Sequence, residues 1–146
     1  MQSTAAEASP VIKRYTVKDA WKGYEVTLEV NHSILTPERA HQINTFWTSH
    51  EDRLDQCDGD VVKTVIQLFG QETICLYLSE SGASFGDKDQ WLVNKESKEK
   101  RANEGWGGES MEGEDNGTFG WCGIRIVGAD VGMPEFDELS LEEKQA

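Results

Sequence analysis

Residues 50–60 read HEDRLDQCDGD, placing five carboxylates, one arginine, one cysteine and one histidine in eleven positions. Such a set can ligate a metal, perform acid–base chemistry, cap a helix, or present negative charge to a partner. Spacing separates these uses. A calcium loop of EF-hand type runs D-x-[DN]-x-[DN]-G with a glutamate at its twelfth position. Asp55, Asp58 and Asp60 are spaced three and two apart, and the twelfth position from Asp55 is Ile66, which offers no ligand atom. Zinc needs clustered cysteine and histidine. His32, His41 and His50 stand nine residues apart, and Cys57, Cys75 and Cys122 form no C-x-x-C pair. No metal or cofactor is expected.

Catalysis meets a similar obstacle. Two carboxylates divide acid and base roles only when burial separates their pKa values, and these lie in a hydrophilic stretch. The chain contains no G-x-S-x-G, Walker loop, G-x-G-x-x-G or H-E-x-x-H. GWGG at 105–108 is too short and has no basic neighbours to cradle a phosphate. Cys75 and Cys122 lie in apolar stretches and read as buried structural thiols. A pocket joining His50 to Cys57 or Cys122 would revive an enzymatic reading; without one, the expectation is no enzyme.

Capping accounts for part of the acidity. Asp58 or Asp60 precedes VVKTVI, and an aspartate there accepts backbone N–H bonds at a helix start, an effect of about 1 kcal/mol. The remaining acids belong to a wider pattern. Windows 50–60, 104–115 and 133–146 hold fifteen of the 27 acids and two of the 14 lysines and arginines, so the rest of the chain balances at twelve of each. The whole net charge of −13 therefore sits in three segments, all read as loops or ends. The expected partner-binding residues are Glu51, Asp52 and Asp55 in the first window, and Glu109, Glu112, Glu114 and Asp115 in the second. Trp106, flanked by glycines in the second, is the candidate aromatic anchor ahead of Trp91, with partial burial as the alternative fate. Trp21, Trp47 and Trp121 read as core or core-edge residues.

The elements that must hold these windows are readable from periodicity. Residues 11–17 read as a strand. In YEVTLEV, Tyr24, Val26, Leu28 and Val30 share one face and Glu25, Thr27 and Glu29 the other, the signature of a half-buried antiparallel strand. LTPERAHQINTFW reads as a short amphipathic helix with Thr36 at its N-cap and Pro37 at its first position. VVKTVIQLFGQETICLYL is the core helix, with Gly70 marking a kink or close packing, and it ends near SESGASFG. DKDQWLVNKESKEKRANEG reads as a peripheral third helix starting at Asp87 and anchored by Trp91, Leu92 and Val93. The glycine-rich 105–117 reads as a mobile loop and TFGWCGIRIVGADV as the last strand, with Cys122, Ile124 and Ile126 inward and Arg125 outward.

These elements, in the order β-β-α-α-(α)-β, define an α+β fold: an antiparallel sheet of about three strands with two or three helices packed on one face, the last strand pairing with one of the first two. Residues 1–10 read as a disordered arm, 11–132 as a single domain and 133–146 as an acidic tail. At 146 residues the chain can bury a core without disulfide or metal staples. A pI near 4.5 argues against direct binding to nucleic acid or an anionic membrane. With no signal-peptide pattern, no apolar run of transmembrane length and reduced thiols, a cytoplasmic protein is expected.

The segments WKGYEVTLEV, ILTPERAHQINTFW, DGDVVKTVI and GIRIVGADV resemble a family of small phage and prophage proteins of unknown function. The resemblance runs from about Tyr15 to about Val131 and continues into PEFDEL. It implies a phage accessory protein in a bacterial cytoplasm. Combined with the charge pattern, it points to a non-enzymatic inhibitor of a host defence or nucleic-acid-handling complex, for example an anti-CRISPR protein. Such an inhibitor occupies a basic protein surface by mimicking nucleic acid. The alternative is a small-molecule binding or sequestering protein with a pocket between sheet and helices.

Overall fold

The computed structural model describes residues 11–109 and 119–145. Alternation builds the sheet. In β2 (Glu25–Asn31), Val26, Leu28 and Val30 are wholly buried while Glu25, Thr27 and Glu29 stay on the wetter face. β1 (Ile12–Lys18) pairs with it antiparallel through a turn in which Asp19 Oδ2 accepts from Lys22 N and Gly23 takes a positive φ of 78°. β4 (Ile124–Val131) pairs with the other side of β2, as the sequence requires of the last strand. A short β3 (Ala83–Phe85) then pairs antiparallel with β4, so the sheet has four strands in the order β1-β2-β4-β3. The expected count of about three strands is corrected by β3, which lies where only a helix end was foreseen. Gly82, at φ 100°, turns the chain out of the preceding helix and sets Ala83 opposite Val131.

Three helices precede β3: α1 (Pro37–Phe46), α2 (His50–Gln56) and α3 (Val61–Ser79). Thr36 Oγ1 caps α1 by accepting from Arg39 N, with Pro37 at the first helical position. α3 carries the core: Val65, Ile66, Leu68, Phe69, Ile74 and Tyr77 are buried against the sheet and α1. Gly70 marks close packing. A Cβ there would lie 2.5 Å from the Val17 side chain of β1, so only glycine lets strand and helix approach this closely.

The last helix, α4 (Gln90–Arg101), starts from Asp89, whose side chain accepts from Leu92 N, rather than from Asp87. Of its expected anchors, Val93 is buried and Leu92 half-buried, but Trp91 is 71% exposed; Ser97, Lys100 and Arg101 are buried beside Val93 instead. The reason lies in β4. Thr27 faces Gly128 and Leu28 faces Ile126, so Val127 is the extra residue of a bulge. β3 covers β4 only from Ala129 to Val131, leaving backbone groups nearer Ile124 without a strand. α4 supplies them instead. Ser97 Oγ accepts from Ile126 N and donates to Ile126 O, and Arg101 Nη1 donates to Ile124 O. Four helical residues rise about 6 Å, close to the roughly 6.6 Å of two strand residues. One turn of helix thus meets the ladder that a longer β3 would have met.

Candidate protein-interaction surface

The stretch His50–Gln56 forms α2, not the loop expected from its polarity. Glu51 and Asp52 in its first turn suit the positive end of a helix dipole. The chain leaves it through Asp58 and Gly59, both with positive φ, and Asp60 then caps α3 by accepting from Lys63 N. Of the two candidate caps, Asp60 is the one used.

No residue of α2 is buried, so something other than apolar packing must hold it. Arg53 does this. Its guanidinium donates to Asn44 Oδ1 at 3.0 Å, Asn44 O at 3.0 Å and Thr48 O at 2.7 Å, while Asn44 Nδ2 donates to His50 O. Asn44 itself is 1% exposed, which makes this latch rigid at one end. The single base of the stretch is therefore turned inward onto neutral oxygens. Glu51, Asp52, Asp55 and Asp58 are all exposed, and among the described residues none of them appears in an ion pair. The result is an uncompensated negative face carried on an anchored helix.

The second window is a different object. Trp106 is not a surface anchor: it is 0% exposed. Gly105 and Gly107 both take positive φ and fold the indole inward against Trp47 and Phe69, with ring centroids 5.2 and 4.8 Å away. Its Nε1 donates to Glu72 Oε1 at 2.9 Å, and Lys100 Nζ donates to the same oxygen at 2.9 Å while lying 4.9 Å from the indole centroid. Beside it, Arg101 grips Glu109 with Nε at 2.7 Å and Nη2 at 2.5 Å. Lys100 and Arg101 are each 1% exposed. Glu109 is thus committed to an internal, bidentate pair rather than to a partner. Glu112, Glu114 and Asp115 lie outside the described residues.

Sequence reasoning overlooked Glu72, Lys100 and Arg101. Glu72 is the one acid in α3, and an indole N–H that leaves water needs an acceptor. Those two facts were the available signal. The other aromatics divide as well. Trp47 and Trp121 pack on the core edge as expected, whereas Trp21 stands 86% exposed in the β1–β2 turn.

The thiols and histidines lie in separate surroundings. Cys122 is fully buried, and burial pushes its thiol up to about 11, the opposite of an activated nucleophile. Cys75 is exposed on α3 rather than buried, because it lies on the ridge opposite Phe69 and Tyr77. Cys57 Sγ lies 4.0 Å from Gln67 Oε1, and His32 Nε2 lies 2.8 Å from Tyr15 Oη, its pKa lowered chiefly by burial. Among the described residues, no group of three or more histidine, cysteine, aspartate or glutamate side chains is placed to hold a metal, and no helix is long and apolar enough to cross a membrane. One open groove of about 570 Å³ runs between α2, α3 and the β1–β2 hairpin, floored by Val17, Leu68 and Ile74 and rimmed by Gln67 and Gln71.

Residues 25–141 match the family described as "Protein of unknown function (DUF2528)", and the chain belongs to that family. It is 28% identical over 132 residues to "Protein ea10" of Escherichia phage lambda, covering 90% of this chain and 96% of that protein. The same identity and coverage hold for "Lambda prophage-derived protein ea10" of Escherichia coli O6:H1. No solved structure matches the chain. The family match begins with the first residue of β2, leaving β1 outside it, and extends ten residues beyond the end of β4.

Proposed function

We propose that this protein is a phage-encoded, non-enzymatic binding protein that covers a basic surface of a host nucleic-acid-handling or defence complex, such as a CRISPR effector, in the bacterial cytoplasm. The observation that carries this reading is α2 with the turn that follows it, where Glu51, Asp52, Asp55 and Asp58 are exposed and Arg53 is withdrawn. Carboxylates fixed on a short helix offer a protein groove the same charge that a phosphate backbone would. Their field accelerates encounter and excludes nucleic acid from the site they fill. The phage origin of the relatives is consistent with a host-directed role.

The test is competition. A purified CRISPR effector is titrated with labelled target DNA in the presence of the protein, at low and at high salt. The expected outcome is displacement of DNA that weakens as salt rises, and about a tenfold or greater loss of potency for the E51Q/D52N/D55N variant at low salt. Equal potency and an equal salt slope for variant and parent would sink the reading.

The open groove favours a second reading, a small-molecule binding or sequestering protein. It predicts a ligand-dependent rise in melting temperature that is indifferent to the α2 charges. A metabolite screen by thermal shift, run on parent and E51Q/D52N/D55N side by side, separates the two.

A further inference from the structure

After β4 the chain continues through MPEFDELSLEEKQ, and beyond Met133 its large apolar side chains are mostly left in water. Phe136 is 92% exposed, Leu139 60% and Leu141 101%. Three large apolar residues thus stand in water within six positions, unlike the singly scattered apolar residues usual on a surface. The segment is also pre-shaped. Phe136–Glu138 forms one 3-10 turn closed by a reciprocal capping box, in which Glu135 N donates to Glu138 Oε1 and the Glu135 side chain accepts in return. The turn keeps Phe136 and Leu139 one turn apart. The root of the segment, Met133, Pro134 and Glu138, shares a cleft with Lys22 and Tyr24 of the β1–β2 hairpin, which fixes where it leaves the body. Finally, the family match includes these residues and ends at Leu141, although they add nothing to the core.

We propose that residues 133–145 are a docking segment whose Phe136, Leu139 and Leu141 enter an apolar groove rimmed by lysine and arginine on a host protein. The charge decides the occupant's chemistry. Glu135, Asp137, Glu138, Glu142 and Glu143 flank the apolar residues, and the one base, Lys144, is paired with Glu142. A groove with a cationic rim complements that arrangement. The chain's own open groove is a poorer match: of its two cations, Arg53 already donates to Asn44 and Thr48, and Lys18 stands beside Asp19. The capping box lowers the ordering cost that a floppy peptide would meet on binding. The proposal takes its host setting from the reading above but uses no residue of α2.

The experiment uses the full chain with a photo-crosslinking amino acid at position 139, expressed in Escherichia coli, with position 88 as an exposed control. The expected result is an adduct from position 139, and not from 88, mapping to an apolar peptide beside lysine or arginine on a host protein. In the F136A/L141A background the adduct falls about tenfold or more, and in E135Q/D137N/E138Q it becomes insensitive to salt. All five substituted residues are exposed, so the fold is retained; circular dichroism confirms it. Adducts only to a second copy or to this chain's own body, or equal adducts from positions 139 and 88, overturn the proposal. Loss of the adduct on E51Q/D52N/D55N alone overturns the independence from α2, while its retention leaves the two readings separately answerable.

Discussion

Arg53 and Arg101 each lie in or beside an acidic window of the chain and do opposite things with charge. On α2 the arginine turns inward onto neutral oxygens and leaves three carboxylates, with Asp58 in the following turn, facing water. At the end of α4, Arg101 and Lys100 are the buried members, and two half-exposed carboxylates, Glu109 and Glu72, are drawn in to meet them. The difference teaches that an excess of acid in a sequence is not yet a surface. Whether a carboxylate is available depends on whether a buried cation claims it. By that criterion α2 has charge to spend on a partner, and the described part of 104–115 has spent Glu109 already.

The comparison can be broken most forcefully at Arg101. Replacing it with alanine strands Glu109 beside an orphaned Ile124 carbonyl, and a loss of about 3–5 kcal/mol of stability is expected in urea unfolding. A loss below about 1 kcal/mol would mean that the pair is ornamental and that Glu109 belongs with the α2 acids after all. Arg53→Ala, at an exposed helix, is expected to cost less.

Alkaline pH probes the same interior. The Cys122 thiol is raised from its ordinary value to about 11, mainly by burial and against the lowering influence of Arg101 and Lys100. A raised folded-state pKa means that the stability is intact below pH ~9, where the unfolded thiol still holds its proton, and drains away as pH climbs to about 11. The loss over that window is about 3 kcal/mol. Cys122→Ala should flatten its first part, leaving the contribution of Tyr77, whose hydroxyl is also pushed up by burial. Chemical denaturation at stepped pH reads both, and identical profiles for parent and variant would exclude the thiol as the cause.

The smallest effect is expected on the exposed side. The E51Q/D52N/D55N variant should unfold within about 0.5 kcal/mol of the parent, since exposed charges contribute little to stability. A large destabilisation would show that these acids hold the fold, erasing the contrast with Arg101.

Period-two alternation in Glu25–Asn31 and the broad stripe of Val61–Ser79 were legible because each buries a face that repeats along the chain. β3 was not, since three residues carry no period. α2 read as loop because it buries nothing; its helix is set by Arg53 and by what surrounds it. At the candidate surface, the exposure of Glu51, Asp52 and Asp55 followed from composition, but the withdrawal of Arg53 could not, because its acceptors include backbone carbonyls that no side-chain pattern reveals. Trp106 was misplaced for a related reason. Its immediate neighbours are polar, and the acceptor that lets it be buried lies 34 residues away in α3.

The contact of Ser97 and Arg101 with β4 also limits how copies of this molecule can assemble. With short β3 on part of that margin and a helix closing much of the rest, strand addition is discouraged there, and among the described residues β1 is left as the long lateral margin. That margin carries Lys13, Arg14 and Lys18, the residues that typically guard an edge. Ribbon growth through sheets requires two competent sides per subunit. Among the described residues the opposite margin is β3, only three residues long, which disfavours ribbon growth through both sides.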